Sequence, residues 1–174
     1  MNRFRSRILA LAVLFPVSLG LQGCYGGGTS GGAQMSGAAV SLVDHYMAGW
    51  NAHDAAQAAA FFADSGVYYD ASVGTPQVGR ANAQKNVIEA FLTAVPDAQW
   101  TREGEPVVSA SGDAISFQWA FSGTNTGPWS DGTKATGKKF SITGLTLIRI
   151  KDGKIVYQGD YYDALGFYKQ IGLM

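Results

Sequence analysis

Asp152-Gly153-Lys154-Ile155-Val156-Tyr157-Gln158-Gly159-Asp160-Tyr161-Tyr162-Asp163 reads as a tight turn followed by an aromatic strand, and a second strand-like run over residues 138–150 precedes it. An Asp-Gly pair between two runs of β-branched and aromatic residues marks a hairpin. Its register matters, because side chains alternate across a strand and a slip of one residue turns every one of them over. Two closures are open. A two-residue loop pairs Ile150 with Ile155 and sets Asp160 opposite Leu145. A three-residue loop, with Gly153 left-handed in a bulge, pairs Ile150 with Lys154 and sets Asp160 opposite Gly144. Only the second gathers Thr146, Gln158, Asp160 and Tyr162 on one face.

Upstream, residues 99–103, 107–110 and 114–124 also alternate as strands, separated by turn residues. Before them the period is helical. Leu42, Val43, Tyr46, Met47 and Trp50 form the apolar stripe of a helix over residues 39–50, and Asp54 suits the cap of a short helix reaching Phe62. Residues 67–71 read as a strand. Val87, Ile88, Phe91, Leu92 and Val95 mark a third helix over 80–95, stopped by Pro96. A last short helix spans 165–171. Helices followed by a run of strands give an α+β order, with the helices laid on one face of a curved, antiparallel or mixed sheet. The enclosed face forms a cone with a pocket at its floor.

Three further pieces, Gly123-Thr124-Asn125-Thr126-Gly127, Thr136-Gly137-Lys138 and Gln170-Ile171-Gly172, combine with Gly153-Lys154-Ile155 and Gly159-Asp160. In this order they resemble the SnoaL-like polyketide and ester cyclases, a branch of the NTF2-like α+β proteins. The resemblance implies a cone whose concave face is covered by about three helices, a catalytic aspartate at Asp160, Trp50 and Tyr69 facing the cavity, and a homodimer formed through the sheet. It also favours the bulged hairpin loop, since the family aims both strand positions inward. Two departures stand out: Thr146 occupies the place of the cyclases' histidine partner, and Asn125 stands where the ester cyclases have histidine in Gly-Thr-His-Thr-Gly. A hydroxyl or an amide can orient a ligand, but neither titrates near neutrality.

Chemically, Asp160 is the candidate general acid/base, because an apolar wall raises a carboxyl pKa toward the working pH. The alternative is a carboxyl that only hydrogen-bonds a tyrosine or the backbone. Tyr46, Trp50, Tyr69, Trp119 and Tyr162 are candidate walls for a small, mainly apolar organic ligand, with Asn125, Thr146 and Gln158 as polar partners. Asp163 lies three residues from Asp160, so it better suits capping the last helix. His45 and His53 are eight apart, which does not place them on one helix face as metal ligands; neither a metal nor a cofactor is expected. Leu145, Leu147, Tyr157 and Tyr161 fall on the outer face, and an apolar outer face calls for a second cover, a partner copy of the chain.

The start of the chain reads as an export leader over residues 1–23: Arg3, Arg5 and Arg7, then an apolar core too short to span a membrane, then Leu21-Gln22-Gly23-Cys24. Cleavage before Cys24 makes that residue a lipid attachment point; an ordinary cleaved leader is the alternative. Residues 24–38 are rich in Gly, Ser and Ala and read as a flexible tether, leaving 39–174 as one folded domain. The chain is therefore expected in the bacterial envelope, anchored outside the cytoplasm. Cys24 is the single cysteine of the 174 residues, so no disulfide forms within one chain. Without the leader's arginines the formal charge is −3 and no basic stripe remains, which argues against nucleic acid as a partner.

Overall fold

The computed structural model describes residues 29–174, so the leader, Cys24 and the start of the expected tether lie outside the described residues. Helix α1, Thr29–Asn51, begins well before the expected boundary. The Gly/Ser-rich stretch is thus helical from Thr29 on, where a flexible tether was expected. Its turn around Met35 lies against Gly112, where an added Cβ would come within 2.7 Å of the Met35 Cβ. Such packing offsets the poor helix propensity of glycine. Val43, Tyr46, Met47 and Trp50 form the buried stripe that the spacing predicts.

Asp54 caps α2, Ala55–Ala59, by accepting from the Gln57 N–H at 2.8 Å. Strand β1, Phe62–Asp70, starts earlier than the sequence suggests, because Phe62 pairs with Ile155. The short β2, Gln77–Val78, leads into a rod made of α3, Arg80–Ala83, a π-helical segment, Gln84–Glu89, and α4, Ala90–Ala94. Strands β3, Gln99–Val108, β4, Ala114–Thr124, β5, Lys139–Lys151, and β6, Lys154–Tyr162, follow. The two runs expected at 99–103 and 107–110 form one strand, with an irregularity between Glu103 and Val107 where Gly104 takes a positive φ. Asp163 caps the last helix, α5, Ala164–Gln170, through the Gly166 N–H at 2.8 Å.

The six strands form one mixed sheet in the order β2-β1-β6-β5-β4-β3, in which β1 and β6 run parallel. α1 packs on β3, α3 on β1 and α5 on β5, so the helices close over one face. This is the cone that the sequence implies.

The β5–β6 hairpin overturns the expected loop. Asp152 and Gly153 both have positive φ, at 51° and 69°, and Lys151 pairs with Lys154, which is the tight two-residue turn. The register then shifts: Ile150 pairs with Ile155 but Arg149 pairs with Tyr157, so Val156 is the extra residue of a bulge inside the strand. Asp160 consequently lies opposite Thr146 rather than Gly144. The displaced bulge restores the same parity as the expected loop, so Thr146, Gln158 and Asp160 still share the inner face.

Candidate functional site

The inner face narrows to a cavity of about 30 Å³, floored by Asp160 and Asp70 and walled by the rings of Trp50, Trp100, Trp119 and Phe121. That is room for a water or two, far less than the roughly 300–1,000 Å³ of a drug-sized site. A larger cavity of about 380 Å³ shares Phe91 as a wall and is bounded by Trp129 and Phe167. Trp129 meets Phe91 edge-on, with ring centroids 5.4 Å apart.

Asp160 is 5% exposed. Its Oδ2 accepts from the Tyr68 hydroxyl at 2.7 Å and its Oδ1 from the Thr146 hydroxyl at 2.5 Å, while Gln158 Nε2 donates to both oxygens at 3.1 Å. Thr146 is itself fixed by Trp119, whose Nε1 donates to it at 2.8 Å. Burial pushes the Asp160 carboxyl up to about 7, the neighbouring Asp70 adds to the rise, and the three donors oppose it.

Asp70 sits directly across from Asp160 on the parallel neighbour strand and is 4% exposed. Its Oδ1 accepts from the Ser72 N–H, the Ser72 hydroxyl and the Val73 N–H, at 2.8, 2.7 and 3.1 Å, and Tyr162 donates to both oxygens at 3.0 and 3.2 Å. Burial raises this carboxyl too, and the same four donors restrain it. Burial likewise raises Tyr46, Tyr68 and Tyr162, which keeps these phenols protonated, and Tyr68 and Tyr162 donate to the two carboxyls.

Trp50, Trp119, Tyr162 and Asp160 come together around the cavity. Thr146 and Gln158 do not line it; they stand behind Asp160 and hold its carboxylate, which corrects their expected role as ligand contacts. Tyr46 is fully buried beside them. Trp50, Tyr68 and Gln158 flank its hydroxyl, yet none makes a hydrogen bond of proper length and angle with it, and Trp50 Nε1 and Gln158 Oε1 also lack partners. Tyr69 is a correction of one residue. Its ring tilts against Tyr161 on the outer face, and Tyr68 takes the inward place because β1 alternates in register with β6. Asn125 is also corrected. Its amide donates to the Ala94 and Gly127 carbonyls at 3.0 and 2.9 Å and accepts from the Thr136 N–H at 3.0 Å, so it staples the β4–β5 connection. His45 and His53 bond the backbone carbonyls of Ser41 and Ala98. Asp70, Tyr68 and Trp100 escaped the sequence reading. The alternation Tyr68, Asp70 carried a signal, but only the pairing of β1 with β6 tells which parity faces inward.

Comparison with known proteins follows the same lines. The family model of the SnoaL-like polyketide cyclases matches residues 40–171. A stretch of 41 residues is 51% identical to the aklanonic acid methyl ester cyclase DnrD of Streptomyces peucetius, covering 24% of this chain and 28% of that protein. The cyclase DauD of Streptomyces sp. strain C5 matches equally over 41 residues, 26% of its length. The match thus spans about a quarter of these curated relatives. A structure from Jannaschia sp. CCS1, assigned to the SnoaL-like polyketide cyclases, superposes with a TM-score of 0.69 at 15% identity, covering 80% of this chain and 95% of that one. TsrD of Streptomyces laurentii superposes with a TM-score of 0.65 at 25% identity, over 79% and 97%.

Proposed function

The chain belongs to the SnoaL-like polyketide cyclase family, and from that premise we propose that its cone binds a small organic molecule at Asp160, which moves a proton next to a carbonyl or similar activating group. The observation that carries this reading is the position of Asp160: a carboxyl on the floor of an aromatic cavity, held by Tyr68, Thr146 and Gln158. With its pKa pushed up to about 7, it can take a proton from carbon and return it elsewhere in a cyclisation or isomerisation. A second reading is binding without turnover, favoured by Thr146 in the place of a titratable partner and by the narrow cavity. Native mass spectrometry of protein purified from its own source tests both. The acid/base reading expects a co-purified molecule that wild-type protein converts and the Asp160→Asn variant retains unchanged. A molecule that wild-type protein leaves intact supports binding alone.

Lipid on Cys24 is proposed to hold the domain to a membrane of the cell envelope, a reading supported by Arg3, Arg5 and Arg7, the apolar core after them and Leu21-Gln22-Gly23-Cys24. Acyl chains contribute about 0.8 kcal/mol per buried CH₂, so several on one residue hold firmly. A Cys24→Ser variant is expected to lose fatty-acid labelling and leave the membrane fraction; continued labelling overturns the anchor.

On the outer face Leu145 and Tyr161 are 42% and 44% exposed, and the Tyr157 and Tyr161 hydroxyls meet at 2.8 Å. This face is proposed as the contact between two copies of the chain. Light scattering at micromolar concentration is expected to give a dimer for wild-type protein and a monomer for Leu145→Lys. A wild-type monomer removes the proposal.

A further inference from the structure

We propose that the outer cavity of about 380 Å³ holds the body of the ligand, a flat ring compound with polar substituents on one edge, and that the Phe91 ring is the movable partition between this body and Asp160. Such a seat rests on the reading of Asp160 as the reacting group, and size calls for it. The space at Asp160 has room for a water or two, whereas the outer cavity falls within the range of sites that enclose small organic molecules. Among the described residues Phe91 alone lines both spaces, and it is 5% exposed.

The outer cavity has two unlike sides. Phe91, Trp129 and Phe167 meet one another edge-on or tilted, with ring centroids 5.4 to 6.0 Å apart, and offer an aromatic surface against which a flat ring packs. Gln77, Asn86, Ser130 and Thr133 supply the polar side. Asn86 Nδ2 donates to Gln77 Oε1 at 2.7 Å, which leaves the Asn86 carbonyl oxygen and its second N–H for another partner. A ring with hydroxyl or carbonyl groups along one edge matches both sides.

The partition moves as a side chain, because the backbone beside it is fixed. The Gly127 N–H and the Asn125 amide both donate to the Ala94 carbonyl at 3.0 Å, which ties the loop that carries Trp129 to the end of α4. On a helix a phenylalanine has two favoured staggered positions about its first side-chain bond. A turn of the Phe91 ring therefore joins the two spaces without unseating α4. With the ring in place, Asp160 is kept from water, which is the burial that raises its carboxyl.

2-Naphthol is the probe, titrated by calorimetry at pH 7. Wild-type protein is expected to bind one molecule per chain. Asn86→Trp and Ser130→Trp, which fill the outer cavity from exposed positions, are each expected to weaken that binding at least tenfold. Absence of binding by wild-type protein overturns the proposal, and so does binding that survives in both folded variants, since the ring then sits elsewhere. Neither result touches the Asp160→Asn test above, which reads conversion of a co-purified molecule and not affinity for the probe. Phe91→Ala tests the partition. Water then reaches Asp160, its carboxyl falls back toward the ordinary range, and the drop in urea midpoint between pH 4 and pH 7.5 shrinks to half of the wild-type drop or less. An unchanged drop overturns the partition. Where Phe91→Ala does not fold, Phe91→Leu is measured in its place, with a smaller reduction of the same sign expected.

Discussion

Replacing Asp160 by asparagine is expected to lower turnover of the cognate substrate by roughly 10²–10⁴-fold, the usual contribution of a positioned acid/base, and to flatten the fall of stability with pH. The sign follows from the raised carboxyl. Its pKa of about 7 in the folded chain exceeds the 3.8 of an unperturbed aspartate, so the folded state binds the proton more tightly than the unfolded state does. That stability is fully present below about pH 4 and is lost as the pH rises to about 7. The loss is on the order of 4 kcal/mol, at about 1.4 kcal/mol per unit. The amide of the Asp160→Asn variant has nothing to ionise, and the hydroxyls of Tyr68 and Thr146 can turn to accept from it. Urea denaturation at pH 4, 5.5 and 7.5 checks this: the wild-type midpoint drops across the series, and the variant keeps only the slope that belongs to Asp70, whose carboxyl is raised in the same direction. Equal slopes in the two proteins would mean that Asp160 ionises as freely in the fold as in water.

Trp119→Ala is expected to cost about 3–5 kcal/mol, the range for deleting a large buried aromatic side chain. Trp119 is buried, packs edge-on against Tyr162 with ring centroids 5.7 Å apart, and lies so close over Gly144 that any side chain there would displace it. Its Nε1 also holds the hydroxyl that holds Asp160. Since a domain of this size has only about 5–15 kcal/mol in total, the alanine variant will be marginal. Trp119→Phe separates the contributions: most of the packing stays and the bond to Thr146 goes, for about 1 kcal/mol. Denaturant titration of both variants gives the two costs. A loss below about 1 kcal/mol for alanine would mean that the cavity wall collapses into the gap without strain.

Much of this architecture could be read locally. Val43, Tyr46, Met47 and Trp50 recur at the helical period and are buried together. Asp54 and Asp163 cap the helices that the sequence assigns to them. Asp152-Gly153 marks the hairpin because few other pairs tolerate two consecutive positive φ angles. The start of α1 escapes the sequence for the opposite reason: a Gly- and Ser-rich run has low helix propensity by itself, and contact with the β3–β4 turn at Gly112 supports it.

Asp160 as a buried acid was legible because period-two alternation from the turn puts Gln158, Asp160 and Tyr162 on one side of a strand. What the alternation could not decide was the location of the bulge at Val156, since the extra residue is accommodated by the pairing with β5 and leaves no mark in residue type. Asp70 was hidden more deeply. It reaches Asp160 only because β1 docks parallel to β6, the same docking that joins Tyr68 to Asp160 across 92 residues of sequence. Local periods and turn residues thus determined which elements form and which acid lies at the floor. The tertiary structure decided that a second acid stands beside it, because two distant strands choose their register by packing and not by their own sequence.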